Sequence, residues 1–215
     1  MKFFLKEQLN MQGSPDSKYY MVPDYYHMES SGPLHILPEF ATYQQQEEHT
    51  CAAACALMVL RYFGNDGYTE EQLAKQMGSV PGEGTPVEAV RKFFTDLDWE
   101  VESHESFEKR FLSEQEFISW LIEMLDRRIP VMVDWLDWGG HWQVIIGIDT
   151  ENNDSDCDDV LILADPCDIT DHCRDGYYTY SAPRFFSMWR EGSGTKERGP
   201  YIQPFVAAHP KGTAR

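Results

Sequence analysis

The hydrophobic pattern of this chain changes its period at Pro130, and that change limits the fold more than any other feature of the sequence. Before it, four segments carry helix signatures. "CAAACALMVLRYF" (51–63) is rich in Ala and Leu, has helical length and stops at Gly64, a residue suited to ending a helix. "TEEQLAKQM" (69–77) opens on Thr69 with Gln72 three residues on, a capping box, and stops at Gly78. "TPVEAVRKFFTDL" (85–97) predicts Thr85 as N-cap, Pro86 at the first helical position and Glu88 closing the box. "SEQEFISWLIEMLDRR" (113–128) repeats the pattern with Ser113 and Glu116, and ends in Arg127 and Arg128, which suit the negative end of a helix.

After Pro130 the pattern is that of strands. "PVMVDW" (130–135), "HWQVIIGID" (141–149) and "DVLILAD" (159–165) are β-branched, apolar runs bounded by Gly, Asp and Pro. "GYYTYS" (176–181) reads as a strand, "APRFFSMWR" (182–190) as a short helix and "YIQPFVAA" (201–208) as a last strand. Helices first and strands afterwards predict an α+β domain, an N-terminal helical layer packed on a C-terminal antiparallel β-sheet. At 215 residues the chain is read as one globular domain over 41–215, preceded by an extended arm at 1–40 that Pro and Gly break repeatedly.

Hydrophobic content of 42% is enough for a core without staples, so the five cysteines need not be crosslinked, and a reducing cytoplasm is the expected compartment. "MKFFLKEQLNMQ" lacks the apolar length of a secretory signal, and no run approaches the roughly 20 residues of a membrane span. A net charge of -18 argues against nucleic acid or an anionic membrane surface as partner. Solubility explains the acidity simply; a cationic peptide or protein is the sharper expectation for a partner.

The chemistry gathers around Cys51. At the head of a helix its sulfur lies near unsatisfied N–H groups and the positive end of the dipole, which favours the thiolate. Cys55, one turn on, reads as core packing, since a CxxxC pair without further close ligands makes a poor metal site. A thiolate nucleophile needs a base with an orienting acceptor. Of seven histidines, His141 stands out: it opens a central-looking strand after "WGG", where glycine permits close approach. Asp165 ends the next strand, and antiparallel pairing brings the two side by side. Gln45, six residues before Cys51, offers an amide donor for an oxyanion, with Gln44 and Gln46 as rivals. Trp135, Trp138 and Trp142 surround His141. Trp138, Gly140 and Trp142 are the expected substrate contacts, ordinary core packing being the other reading of the tryptophans. "DPCDITDHC" (165–173) crowds acids, cysteines and His172, but the irregular spacing reads as a solvated loop; neither metal nor cofactor is expected.

The succession "QQEEHTCAAACALMVLRYFG" (45–64), "YTEEQLAKQM", "GTPVEAVRKFF", "IPVMVDW", "GHWQVIIGID" and "LADP" resembles the C39-like branch of the papain-like cysteine peptidases, over about residues 43–190. That family includes domains that cut bacteriocin leader peptides after a double glycine. The resemblance implies a papain-like fold in which Gln45 lines the oxyanion hole, Cys51 attacks, His141 serves as general base and acid, and Asp165 orients it. Two departures stand out: Ala52 and Ala53 replace the usual Gly and Pro after the nucleophile, and an acidic loop, "TENNDSDCD" (150–158), is inserted between the His and Asp strands. An attached exporter, common among leader-cutting members, is not expected, so double-glycine specificity does not carry over. The implied activity is thiol peptide hydrolysis; acyl or peptidyl transfer and non-catalytic peptide binding are its alternatives.

Overall fold

The computed structural model describes residues 23–137, 139–151, 156–169, 173–192 and 199–212. Helix α1 (Cys51–Tyr62) is its central element. Cys51 to Leu60 are all buried, in keeping with a sequence that is apolar on every side of the helix. The small side chains of Ala52, Ala53 and Ala56 let α1 lie close to its neighbours, α2 (Glu70–Met77) and strand β4 (His141–Asp149). The Thr69–Gln72 capping box of α2 is formed in both directions, and Gly78 ends the helix in the left-handed conformation. Helices α3 (Val87–Asp96) and α4 (Glu114–Asp126) follow, and α5 (Ala182–Met188) comes late in the chain.

Besides β4, the sheet contains β1 (Leu34–Ile36), β2 (Glu100–His104), β3 (Val131–Trp135), β5 (Val160–Ala164), β6 (Tyr177–Ser181) and β7 (Phe205–His209). Every pairing is antiparallel, in the order β2-β7-β3-β4-β5-β6, with β1 added on β4. Strand β4 is long enough to pair β3 through its first half and β1 through its last three residues. A register shift between Ile145 and Gly147 separates those halves, and Leu37 N–H donates to the Ile146 carbonyl there at 2.8 Å. The arm's strand β1 is thus bonded into the sheet, and Ile36, Leu37 and Phe40 are core residues. An aromatic cluster of Phe111, Phe117, Trp120, Phe185, Trp189 and Phe205 joins α4, α5 and β7.

The helices differ from expectation at their ends. Thr85 does not cap α3: the cap position falls on Pro86, whose extended ψ of 152° delays the helix by one residue. Thr85 is buried instead, its hydroxyl paired with Ser79 at 2.6 Å and its carbonyl accepting from Trp142 Nε1 at 3.0 Å. Glu88 turns to the Tyr201 hydroxyl. Ser113 caps α4 by accepting from Glu116 N–H, but Glu116 reaches back to Leu112 N–H, one residue beyond the box. Strand β2 is an edge strand of sequence "EVESH" whose polar residues conceal it. Among the described residues no helix is long and apolar enough to cross a membrane, and none of the five cysteines is in a disulfide.

Candidate active site

The start of α1, the start of β4 and the end of β5 meet at one place. Val144 pairs Ala164 across β4 and β5, so the same register carried outward sets Gln143 opposite Asp165 and His141 diagonally beside it. His141 Nε2 and Asp165 Oδ1 are 2.7 Å apart, with the two residues 5% and 1% exposed. Asp165 Oδ1 also accepts from Cys167 N–H at 2.8 Å, a bond that fixes the carboxylate from its own turn. The Cys51 sulfur also acts on this imidazole, raising its pKa, and since Nε2 is taken, Nδ1 is the nitrogen left to face it.

Electrostatics distinguishes Asp165 from its acidic neighbours. Burial pushes the Asp134 carboxyl well up, with Glu191 adding to the shift, and burial likewise raises Asp137. Burial acts against the Asp165 carboxylate too, but the hydrogen bonds and charge of His141, helped by Cys167 N–H and Gln143, hold its pKa below the ordinary value. For His141, burial alone disfavours the imidazolium. The hydrogen bond to Asp165, the Cys51 sulfur and the charges of both more than compensate and push its pKa up to about 10. Burial raises the other thiols nearby, Cys55 foremost and Cys167. Cys55 donates to the Trp142 carbonyl at 3.2 Å and fills the core, as its position inside the helix predicts.

The expected oxyanion donor is tied at both its backbone and its side chain. Gln45 N–H donates to the Pro166 carbonyl at 2.8 Å, which binds its loop to the turn carrying Asp165. Its amide Nε2 donates to the carbonyls of Glu47 at 2.8 Å and Glu48 at 3.2 Å, while Oε1 is buried without a partner. The rivals point elsewhere: Gln46 Nε2 donates to the Tyr43 hydroxyl, and Gln44 Nε2 makes a long 3.4 Å bond to the Asp165 carbonyl.

The three expected substrate contacts differ in their surroundings, and Gly140 is exposed. Trp142 is 2% exposed and held by Thr85, so it packs beneath the site rather than walling an open groove; Trp135, fully buried, donates to Gln143 Oε1 at 2.7 Å. Gly140, at φ 95°, is approached by the chain itself: a Cβ there would lie 2.7 Å from Gly192 Cα. Trp138 lies outside the described residues, as do Asp171 and His172 of the crowded loop. Among the described residues no group of three or more His, Cys, Asp or Glu could hold a metal.

Two buried polar residues of this region were not expected from the sequence. Gln143 is fully buried, and its amide nitrogen lies beside the Asp165 carboxylate without a hydrogen bond of good geometry. It could have been noticed as the one polar residue within the apolar run of β4 after Trp142. Glu70 is 3% exposed and bonded to the loop before Cys51. A glutamate in the first turn of a helix gives no such signal, being favourable there on any surface helix.

Residues 38–196 match the Peptidase_C39 like family, which is most of the chain. No curated protein is similar enough in sequence to count as a relative. A protein from Bacillus anthracis described as a C39-like peptidase has a similar structure, with a TM-score of 0.54 at 13% identity, covering 83% of this chain and 98% of its own. The peptidase domain of Streptococcus ComA, a bifunctional ABC transporter of a quorum-sensing pathway, gives 0.50 at 17%, covering 80% and 99%. A double glycine motif protease from an AMS/PCAT transporter, solved with its leader peptide, gives 0.50 at 14%, covering 80% and 91%. At such identities these likenesses speak for the fold, which is the papain-like α+β arrangement of helices on an antiparallel sheet. With the family match over most of its length, the chain belongs to the Peptidase_C39 like family.

Proposed function

We propose that this protein is a cysteine peptidase that hydrolyses peptide bonds through Cys51, His141 and Asp165. The observation that carries the reading is the buried 2.7 Å contact between His141 and Asp165, on an imidazole whose pKa Cys51 also helps to raise. In this mechanism the Cys51 proton passes to His141, leaving a thiolate beside an imidazolium. The sulfur attacks the peptide carbonyl carbon, forming the S–C bond and an oxyanion. Collapse breaks the C–N bond, and His141 protonates the departing amine. Water, deprotonated by His141, then attacks the thioester, and the product acid leaves with the thiol restored. The oxyanion is met by Cys51 N–H and by Gln45 Nε2, which exchanges its longer bond to Glu48 for the substrate oxygen. Asp165 holds the imidazole in the tautomer that presents Nδ1 to sulfur. A peptide substrate fits the leader peptide seen with the AMS/PCAT transporter protease, although that protein's double-glycine specificity is its own.

The test is product analysis of a degenerate peptide library by mass spectrometry, with and without an added primary amine. New free carboxyl termini that depend on Cys51 are expected. Amine-capped products in place of acids would mean a transferase, and a library left intact would mean a binding module.

A further inference from the structure

The loop between Gln45 and Cys51 folds around one buried carboxylate, that of Glu70. Buried glutamates are rare unless paired, and among the described residues no Lys, Arg or His pairs with this one. Its partners are neutral donors of a single segment. Gln46 N–H donates to Oε1 at 2.9 Å and lies 3.2 Å from Oε2, and the Thr50 hydroxyl hydrogen-bonds Oε1. Burial raises the pKa of the Tyr43 phenol; Gln46 acts against that shift and the nearby Glu70 carboxylate adds to it. On the far side, Gln45 N–H is bound to the Pro166 carbonyl. The segment is therefore clamped between Glu70 and the Asp165–Pro166 turn, with Gln45 in the middle.

Thr50 shows what the clamp does to α1. A threonine at an N-cap ordinarily accepts from the N–H of the second or third helical residue. Thr50 occupies the cap position, yet its side chain makes no cap bond. Its hydroxyl is turned instead to Glu70 and to the Glu47 carbonyl, 2.8 Å away. The N–H groups of Ala52 and Ala53 are thus left without a side-chain cap, beside that of Cys51, which a threonine cap does not take, and such groups stabilise a developing negative charge.

We propose that Glu70 is a positioning residue for the reaction: by holding Gln46 N–H and the Thr50 hydroxyl it fixes the 45–50 loop, so that the Gln45 amide and the Cys51 N–H converge on the carbonyl oxygen under attack. The inference rests on the peptidase reading and extends it to a residue that touches neither sulfur nor substrate.

Two probes of Cys51 separate this role from general structural support. Iodoacetamide alkylates sulfur at a saturated carbon and needs no oxyanion donor. N-acetyl-glycyl-glycinal forms a reversible hemithioacetal: the S–C bond forms, the thiol proton ends on the former aldehyde oxygen, and that oxygen occupies the oxyanion position. Glu70→Leu is expected to leave the alkylation rate of Cys51 within about twofold and to weaken aldehyde binding by about 10- to 100-fold, less than the roughly 10²- to 10³-fold rate loss on removing an oxyanion donor outright, because the donors are misplaced rather than deleted. Glu70→Gln keeps an acceptor for Gln46 N–H and recovers most of the affinity. Thr50→Val removes one arm of the clamp and gives a smaller loss in the same direction; it carries the test should Glu70→Leu fail to fold. Aldehyde affinity unchanged in Glu70→Leu and Thr50→Val overturns the inference. So does a parallel loss of alkylation and aldehyde binding in variants that retain wild-type circular dichroism, because that is general structural support. A wild type with an unactivated Cys51 and no aldehyde affinity overturns the peptidase reading itself, and this inference with it.

Discussion

Cys51→Ala is expected to reduce peptide hydrolysis to background, a loss on the order of 10⁵- to 10⁶-fold, the scale seen when a nucleophile is removed from a catalytic unit whose members act together. The substitution is mild for the fold. Cys51 is 7% exposed at the first position of α1, and alanine is the best helix former, so the variant should melt close to the wild type. The effect is felt instead at His141, where Cys51 is one of the partners that keep the imidazole protonated. In the alanine variant the His141 pKa falls from about 10, with Asp165 still opposing burial. Steady-state rates alongside thermal melts measure both outcomes. Hydrolysis retained by a folded Cys51→Ala protein would remove Cys51 from the mechanism. Cys55 and Cys167 are poor substitutes, since burial first of all raises both thiols.

Asp165→Asn carries the second large effect. Asparagine preserves the shape of the side chain but removes the charge; since one oxygen, Oδ1, serves both Cys167 N–H and His141 Nε2, an amide turned to present its N–H to Nε2 gives up the bond from Cys167. The wrong tautomer is then favoured, and a loss of about 10² to 10⁴-fold in kcat is expected, with KM little changed. The same variant has a distinct pH signature in stability. Asp165 is held below its ordinary 3.8, so its contribution is present above that pH and is lost as pH falls through the folded value. His141 is raised from 6.5 to about 10, so its contribution is full below 6.5 and is lost as pH rises toward 10. The melting-temperature gap between wild type and Asp165→Asn should therefore be widest between about pH 4 and 6.5, and should narrow on either side. A gap independent of pH would mean that the two residues do not form an ion pair in solution.

The sequence made the site's order legible more readily than its surroundings. Cys51 could be set at a helix start because Ala and Leu run on from it without a break, and His141 and Asp165 could be set on adjacent strands because β-branched runs end at Gly and at Asp-Pro. Interactions that depend on distant residues were not legible. Thr85 has the local pattern of an N-cap, but Trp142 and Ser79 claim its polar groups. Trp142 follows a histidine and two glycines, as a groove residue would, yet period-two alternation turns it away from His141 and into the core. The polar edge strand β2 has no apolar face to announce it. Glu70 belongs locally to a well-formed capping sequence, and only the tertiary fold turns its carboxylate inward.

The most direct test of the account is the pH dependence of Cys51 alkylation by iodoacetamide, read by peptide mass spectrometry in wild type and in His141→Ala. Wild-type Cys51 is expected to react well below pH 8.5, about where a free thiol titrates, and this low-pH reactivity is expected to disappear in His141→Ala. A Cys51 that titrates like a plain thiol whether or not His141 is present would contradict it and leave the domain a binding module on a peptidase fold.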